Sequence, residues 1–95
     1  MKYNGWNNYE TWVCNLWLDN DGSFDDLSDL AVTMMIDHEN DRDAATHDLA
    51  EHIESIVTDS TPDIGNNMFS DLLSAAIGEI DFYEIAEHYI SDLDD

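Results

Sequence analysis

Basic side chains are almost missing from this chain: among 95 residues only Lys2 and Arg42 carry a fixed positive charge. Free nucleic acid and anionic lipid are therefore excluded as direct partners, because both are bound through dense lysine and arginine. A single cysteine, Cys14, rules out an intramolecular disulfide and fits a reducing compartment. One proline and four glycines give little punctuation, and neither a linker, a low-complexity tract nor an internal repeat is visible. No run nears the ~20 apolar residues of a membrane span. The opening Met1-Lys2-Tyr3-Asn4-Gly5-Trp6 also lacks the apolar stretch of a signal peptide. The expectation is a soluble protein of the host cell cytoplasm.

What the chain does have is acid. Twenty-three Asp and Glu set a formal charge of −21. The two cations can neutralise few of them, and unpaired carboxylates are too costly to bury, so the remainder must face water, a cation or a basic partner. Solubility alone asks for a net charge of only about 2–8 on a small domain, and self-repulsion beyond that works against compactness. Yet 43% of residues are hydrophobic and 11% aromatic, whereas a charge-disordered chain is poor in both. The acids are laid over one folded domain, residues 1–95.

Helical periodicity runs throughout. Asn7 and Glu10 make an N-x-x-E capping pair, followed by Tyr9, Trp12, Val13, Leu16 and Trp17 on one face. Asn20-Asp21-Gly22 reads as that helix's end. Ser23 is the expected cap of a second helix, with Phe24, Leu27, Leu30, Ala31 and Met34 inward, broken by His38-Glu39-Asn40-Asp41. A third runs from about Arg42 to Thr58 through Ala45, Leu49, Ile53, Ile56 and Val57. Asp59 to Pro62 is a turn cluster. A fourth covers roughly Asn66 to Ile77, with Met68, Phe69, Leu72, Leu73 and Ala76 inward, ending near Gly78. Asp81 and Glu84 cap a fifth, lined by Phe82, Ile85, Ala86, Tyr89 and Leu93. The fold expected is all-α, a compact bundle of four to five short helices, with Lys2 to Trp6 open to an extended conformation.

Catalytic and metal motifs fail on spacing. Aligning Gly22 of Asp19-Asn20-Asp21-Gly22 with the invariant glycine of an EF-hand puts Trp17 and Ser28 where a carboxylate and a bidentate Glu are required. His47 and His52 are five apart and so point about 140° away from each other around a helix, unlike H-E-x-x-H. Cys14 sits in an aromatic-rich helix, where a thiol is inert filling. Neither a catalytic residue, a metal ligand nor a cofactor site is expected, and the protein is read as a non-enzyme.

The acids form outward stripes instead. Asp25, Asp26 and Asp29 lie on the second helix, Asp48, Glu51 and Glu54 on the third, and Asp37, Glu39, Asp41 and Asp43 along the connection. The tail adds Asp92, Asp94 and Asp95 at a helix C-terminus, where the macrodipole disfavours them. A compact chain of this length has a radius of gyration near about 12 Å and a diameter of about 32 Å. Duplex DNA of that length carries roughly 19 phosphates, close to this protein's charge. The aromatic cluster Tyr3, Trp6, Tyr9, Trp12 and Trp17 reads mainly as core, with Trp6 as a candidate anchor for a partner.

Trp6-Asn7-Asn8-Tyr9-Glu10-Thr11-Trp12, then Asn15-Leu16-Trp17-Leu18, resembles a family of small acidic proteins of phages, plasmids and other mobile elements. Phe69-Ser70-Asp71-Leu72-Leu73 and Glu84-Ile85-Ala86-Glu87-His88 are similar to the same family. The resemblance implies a mobile-element origin and brings no catalytic residues. The leading expectation is an inhibitor of a host defence nuclease, anti-CRISPR or anti-restriction, mimicking DNA in a basic nucleic-acid-binding groove. A homodimer would extend its charged track. The alternatives are a non-mimic module that binds a host protein through an aromatic surface, and plain electrostatic adaptation to high salt.

Overall fold

The computed structural model describes residues 2–20 and 26–93. Among the described residues it is all-α, as expected, with five helices: α1 (Tyr9–Asn20), α2 (Leu27–Asp37), α3 (Arg42–Ser60), α4 (Met68–Gly78) and α5 (Phe82–Asp92).

Three of them build most of the core, to which α1 adds Leu18. Ala45, Leu49 and Ile53 recur every fourth residue on α3 and are fully buried, against Ile85 and Ala86 of α5 and Ala31 of α2. α3 packs most extensively on α5, and α2 covers both. Alanine at three of these contact positions lets the helix axes approach, because interaxial distance follows side-chain size. Burying a side chain such as Leu49 or Ile53 contributes about 1.5–3 kcal/mol.

Local polar chemistry sets the helix boundaries and moves several of those read from the sequence. The cap of α1 is Asn8, one residue later than expected: its Oδ1 accepts from the Thr11 N–H at 2.9 Å and its carbonyl from the Trp12 N–H. Asn7 is drawn away to α5. For α2 the cap is Asp26, whose carboxylate accepts from the Ser28 and Asp29 N–H groups. The expected cap Ser23, with Phe24, lies outside the described residues. Glu39 and Asn40 take left-handed backbone in the turn to Asp41, which caps α3. Asn67 and Ser70 form a reciprocal capping box on α4.

Residues 2–6 are not extended. Asn4 and Gly5 both have positive φ, 50° and 89°, and the Tyr3 and Trp6 backbones exchange hydrogen bonds of 2.7 and 2.8 Å. Asn-Gly is the preferred pair for such a tight turn, since its backbone needs left-handed residues at both central positions.

The molecule measures 45 × 28 × 23 Å with a radius of gyration of 14.0 Å, longer than an evenly packed chain of its size. One reason is α4, which buries no residue and makes no extensive contact with another helix.

Candidate functional site

α1 is turned over relative to the sequence expectation. Its buried residues are Thr11, Asn15 and Leu18, while Tyr9, Leu16 and Trp17 are exposed and Trp12 and Val13 half-buried. The cause is a set of polar bonds to the start of α5. The buried Thr11 hydroxyl accepts from the Asp81 N–H at 2.8 Å and donates to Asn8 Oδ1 at 2.6 Å. Asn7 donates through its backbone to Glu84 Oε1 at 2.9 Å and through Nδ2 to Asp81 Oδ2 at 2.5 Å, and Asn8 Nδ2 reaches the Glu79 carbonyl at 2.6 Å. Asp81 still caps α5 by accepting from the Glu84 N–H. The second half of its capping box, however, is replaced by these contacts with α1. At the far end of the helix the Tyr89 hydroxyl donates to Asp19. Burial, then that bond to a carboxylate, push the Tyr89 phenol far above its ordinary range. Asn15 Oδ1 is buried with no hydrogen-bond partner among the described residues.

The aromatic residues follow from this orientation. Tyr3, Tyr9 and Trp12 stack on one another with ring centroids 5.0–5.7 Å apart at the surface instead of filling the core. Trp6 is half-buried against the core with its ring 5.2 Å from that of His88. Trp17 stands 63% exposed.

The predicted acids are outside, as electrostatics demands. Asp26, Asp29, Asp37, Glu39, Asp41, Asp43, Asp48, Glu51, Glu54 and Asp92 are all exposed. Asp25, Asp94 and Asp95 lie outside the described residues. Some have structural work: Asp26 and Asp41 cap helices, Asp48 meets His38 at 2.9 Å, and Asp92 meets His88 at 3.5 Å. The His38 contact pins the end of α2 to the second turn of α3. On α3, at about 100° per residue, Asp43, Glu51 and Glu54 fall on the side opposite Ala45, Leu49 and Ile53, while Asp48 and Asp59 lie on its flank. Those three outward acids are spread over 11 residue steps, about 16 Å of helix. Among the described residues, no hydrogen bond reaches the carboxylates of Asp43, Glu51 or Glu54. Arg42, at the head of this stripe, donates to Ser91 Oγ of α5 at 3.5 Å.

A second surface was not visible in the sequence reading. A groove of about 560 Å³ runs between α1, the end of α3 and α4, walled by Val13, Cys14, Trp17, Val57, Leu73 and Ile77 among others. Next to it α4 exposes Met68 and Phe69 at 63% and Leu72 at 59%. The expected inward line of α4 is therefore corrected: only Leu73 and Ile77 of that face are half-buried, because no helix closes over the rest. Burial pushes the Cys14 thiol up to about 11, so at neutral pH it is a groove wall and not a nucleophile. Among the described residues, no group of three or more His, Cys, Asp or Glu is placed to hold a metal ion, and no helix is long and apolar enough to cross a membrane.

No curated protein and no solved structure matches the chain. A family model, described as a family of unknown function (DUF7249), matches residues 1–92 and so takes in both sides of the α1–α5 contact.

Proposed function

The chain belongs to the DUF7249 family, which assigns it no activity, and from its own surface we propose that it inhibits a host defence nuclease by mimicking DNA. Such an anti-CRISPR or anti-restriction role suits the mobile-element origin that the N-Y-E-T-W resemblance implies. The observation that carries this reading is the outer face of α3, where Asp43, Glu51 and Glu54 stand along about 16 Å of rigid helix opposite the core. Carboxylates so held take the places of phosphates against arginine, in charge-assisted and often bidentate pairs. A charge of −21 steers the protein quickly to a cationic groove, with strong dependence on salt. Along its 45 Å axis a duplex carries roughly 26 phosphates, so the protein presents a somewhat sparser track than DNA itself.

The test is target-DNA binding by defence nucleoproteins, followed by gel shift with and without the protein. Asp43→Lys, Glu51→Lys and Glu54→Lys together reverse the stripe without touching the caps or the His38–Asp48 pair. Inhibition should fall by ~10-fold or more and should also fade as salt rises. If the triple variant inhibits as well as the parent, α3 is not a phosphate mimic.

The apolar flank supports a second reading, a non-mimic module that binds a host protein, with Trp17 rather than Trp6 as its exposed tryptophan anchor.

A further inference from the structure

Two helices of this protein leave apolar faces uncovered, and the two faces border one groove. On α1 the polar bonds to α5 turn Thr11 and Asn15 inward and leave Val13, Cys14 and Trp17 to wall the groove. On α4, Leu73, Ala76 and Ile77 form the opposite wall, and Phe69 and Leu72 extend it into solvent. A side chain in such a groove is removed from water on burial, at about 25 cal/mol per Å² of apolar surface, so the groove is a standing source of binding energy. Contiguous exposed apolar surface on a small domain marks an interaction site.

The charge around the groove selects its occupant. Glu10 is the one charged residue among those lining it. Three exposed acids, Asp59, Asp63 and Glu79, are next in sequence to the lining residues Ser60, Pro62 and Ile80. Lys2 and Arg42 are not among the lining residues. An apolar floor with an anionic border fits a partner helix that is apolar on one face and carries lysine or arginine on its flanks. Helix-in-groove recognition reads anchors at i, i+3 or i+4, and i+7, a spacing suited to a groove formed by two helices. A second copy of this chain brings another −21 to the contact and is repelled by the same border that attracts a basic helix.

We propose that the α1–α4 groove is a docking site for a basic amphipathic helix of a partner protein, anchored against Trp17, Leu73 and Ile77. This rests on the second reading above, and it names the chemistry of the partner.

The experiment uses the full chain and three fluorescein-labelled probes of about 14 residues, four helical turns. One is a leucine–lysine amphipathic helix, one has glutamate in place of lysine, and one has the first probe's composition in scrambled order. Anisotropy at about 0.3 M salt, where exposed charges are largely screened, should show saturable binding of the first probe and a loss of ~10-fold or more for the other two. Trp17→Ala and Ala76→Glu alter exposed positions of the groove and should each weaken the first probe by ~10-fold, with circular dichroism confirming that the helices persist. The triple lysine variant of α3 should change the same affinity by less than about threefold at this salt, so failure of this proposal and failure of DNA mimicry remain separable. Equal binding of the scrambled probe would reduce the effect to bulk charge and overturn the proposal. Equal binding of the glutamate probe would keep a docking groove but overturn its basic partner. A sedimenting dimer that the first probe cannot dissociate would assign the groove to a second copy. No binding by any probe to a monomer would remove the second reading as well.

Discussion

The body formed by α2, α3 and α5 and the flank formed by α1 and α4 solve the same problem in opposite ways. In the body, apolar residues point at one another and acids point out, and Leu49, Ile53 and Ile85 are fully buried. In the flank, α1 and the residues before it meet the body through Asn7, Asn8, Thr11 and Asp19, with Leu18 as α1's one buried apolar side chain, while Tyr9, Leu16 and Trp17 look outward together with the apolar residues of α4. The body is stabilised by burial and the flank by hydrogen bonds. The flank thus retains apolar surface that a self-contained fold would have covered.

The largest effect expected from this contrast is on the body. Leu49→Ala should lower the unfolding free energy by about 2–5 kcal/mol, since it removes a buried side chain that neighbours cannot replace. Urea denaturation read by circular dichroism measures it, and a loss under about 1 kcal/mol would mean that the body is not the stabilising unit. Next comes the polar joint. Thr11→Val keeps the shape but leaves the Asp81 N–H without an acceptor, at about 1–3 kcal/mol, whereas Thr11→Ser should recover most of the loss. If valine is tolerated, α1 is held by its apolar residues after all.

Tyr89→Phe removes the hydrogen bond to Asp19 and should cost about 1.5 kcal/mol at neutral pH. Its pH dependence has a definite sign. Cys14, raised from 9.0 to about 11, and Tyr89, raised further, hold their protons more tightly in the folded chain. Their contribution is therefore complete below about pH 9 and disappears as pH rises through the folded values. Urea midpoints should be level from pH 7 to about 9 and fall above it, less steeply in Tyr89→Phe. The smallest effect belongs to α4: Leu72→Ala should change stability by less than about 0.5 kcal/mol. Amide exchange should also be faster through α4 than through α3 or α5. Strong protection of α4 would erase the distinction between body and flank.

Sequence periodicity located the body well. Ala45, Leu49 and Ile53 on α3, and Ile85, Ala86 and Tyr89 on α5, are both the regular apolar positions and the buried ones, because burial there is decided by apolar area alone. The same logic misplaced α1. The five apolar residues of its regular line outweigh Thr11 and Asn15 in any sum of hydrophobicity, yet two hydroxyl and several amide contacts with α5 fix which face turns inward. Those contacts join residues 70 or more positions apart, a separation at which local pattern is silent. One signal was present: Thr11, Asn15 and Leu18 share a face, and Asn7-Asn8 supplies two amides where a single cap suffices. The acids were legible as exposed because desolvation leaves them no alternative. Which of them cap helices or meet histidines depended on boundaries such as Asp26, which periodicity does not resolve. The groove was invisible, since α4 carries an ordinary amphipathic pattern and only the packing leaves it uncovered.

The joint between Thr11 and Asp81 also constrains how the protein is made. During synthesis the first helix emerges long before residues 79–84, so Asn7, Asn8 and Thr11 must wait, hydrated, for partners that lie 70 or more positions further along the chain. Loop closure over so long a stretch is slow compared with the formation of a single helix. Until α5 docks, the nascent chain therefore displays more apolar surface than the finished molecule. A chain halted before residue 79 would have its amino-terminal helix permanently unanchored, an aggregation-prone fragment rather than a weaker copy of the whole.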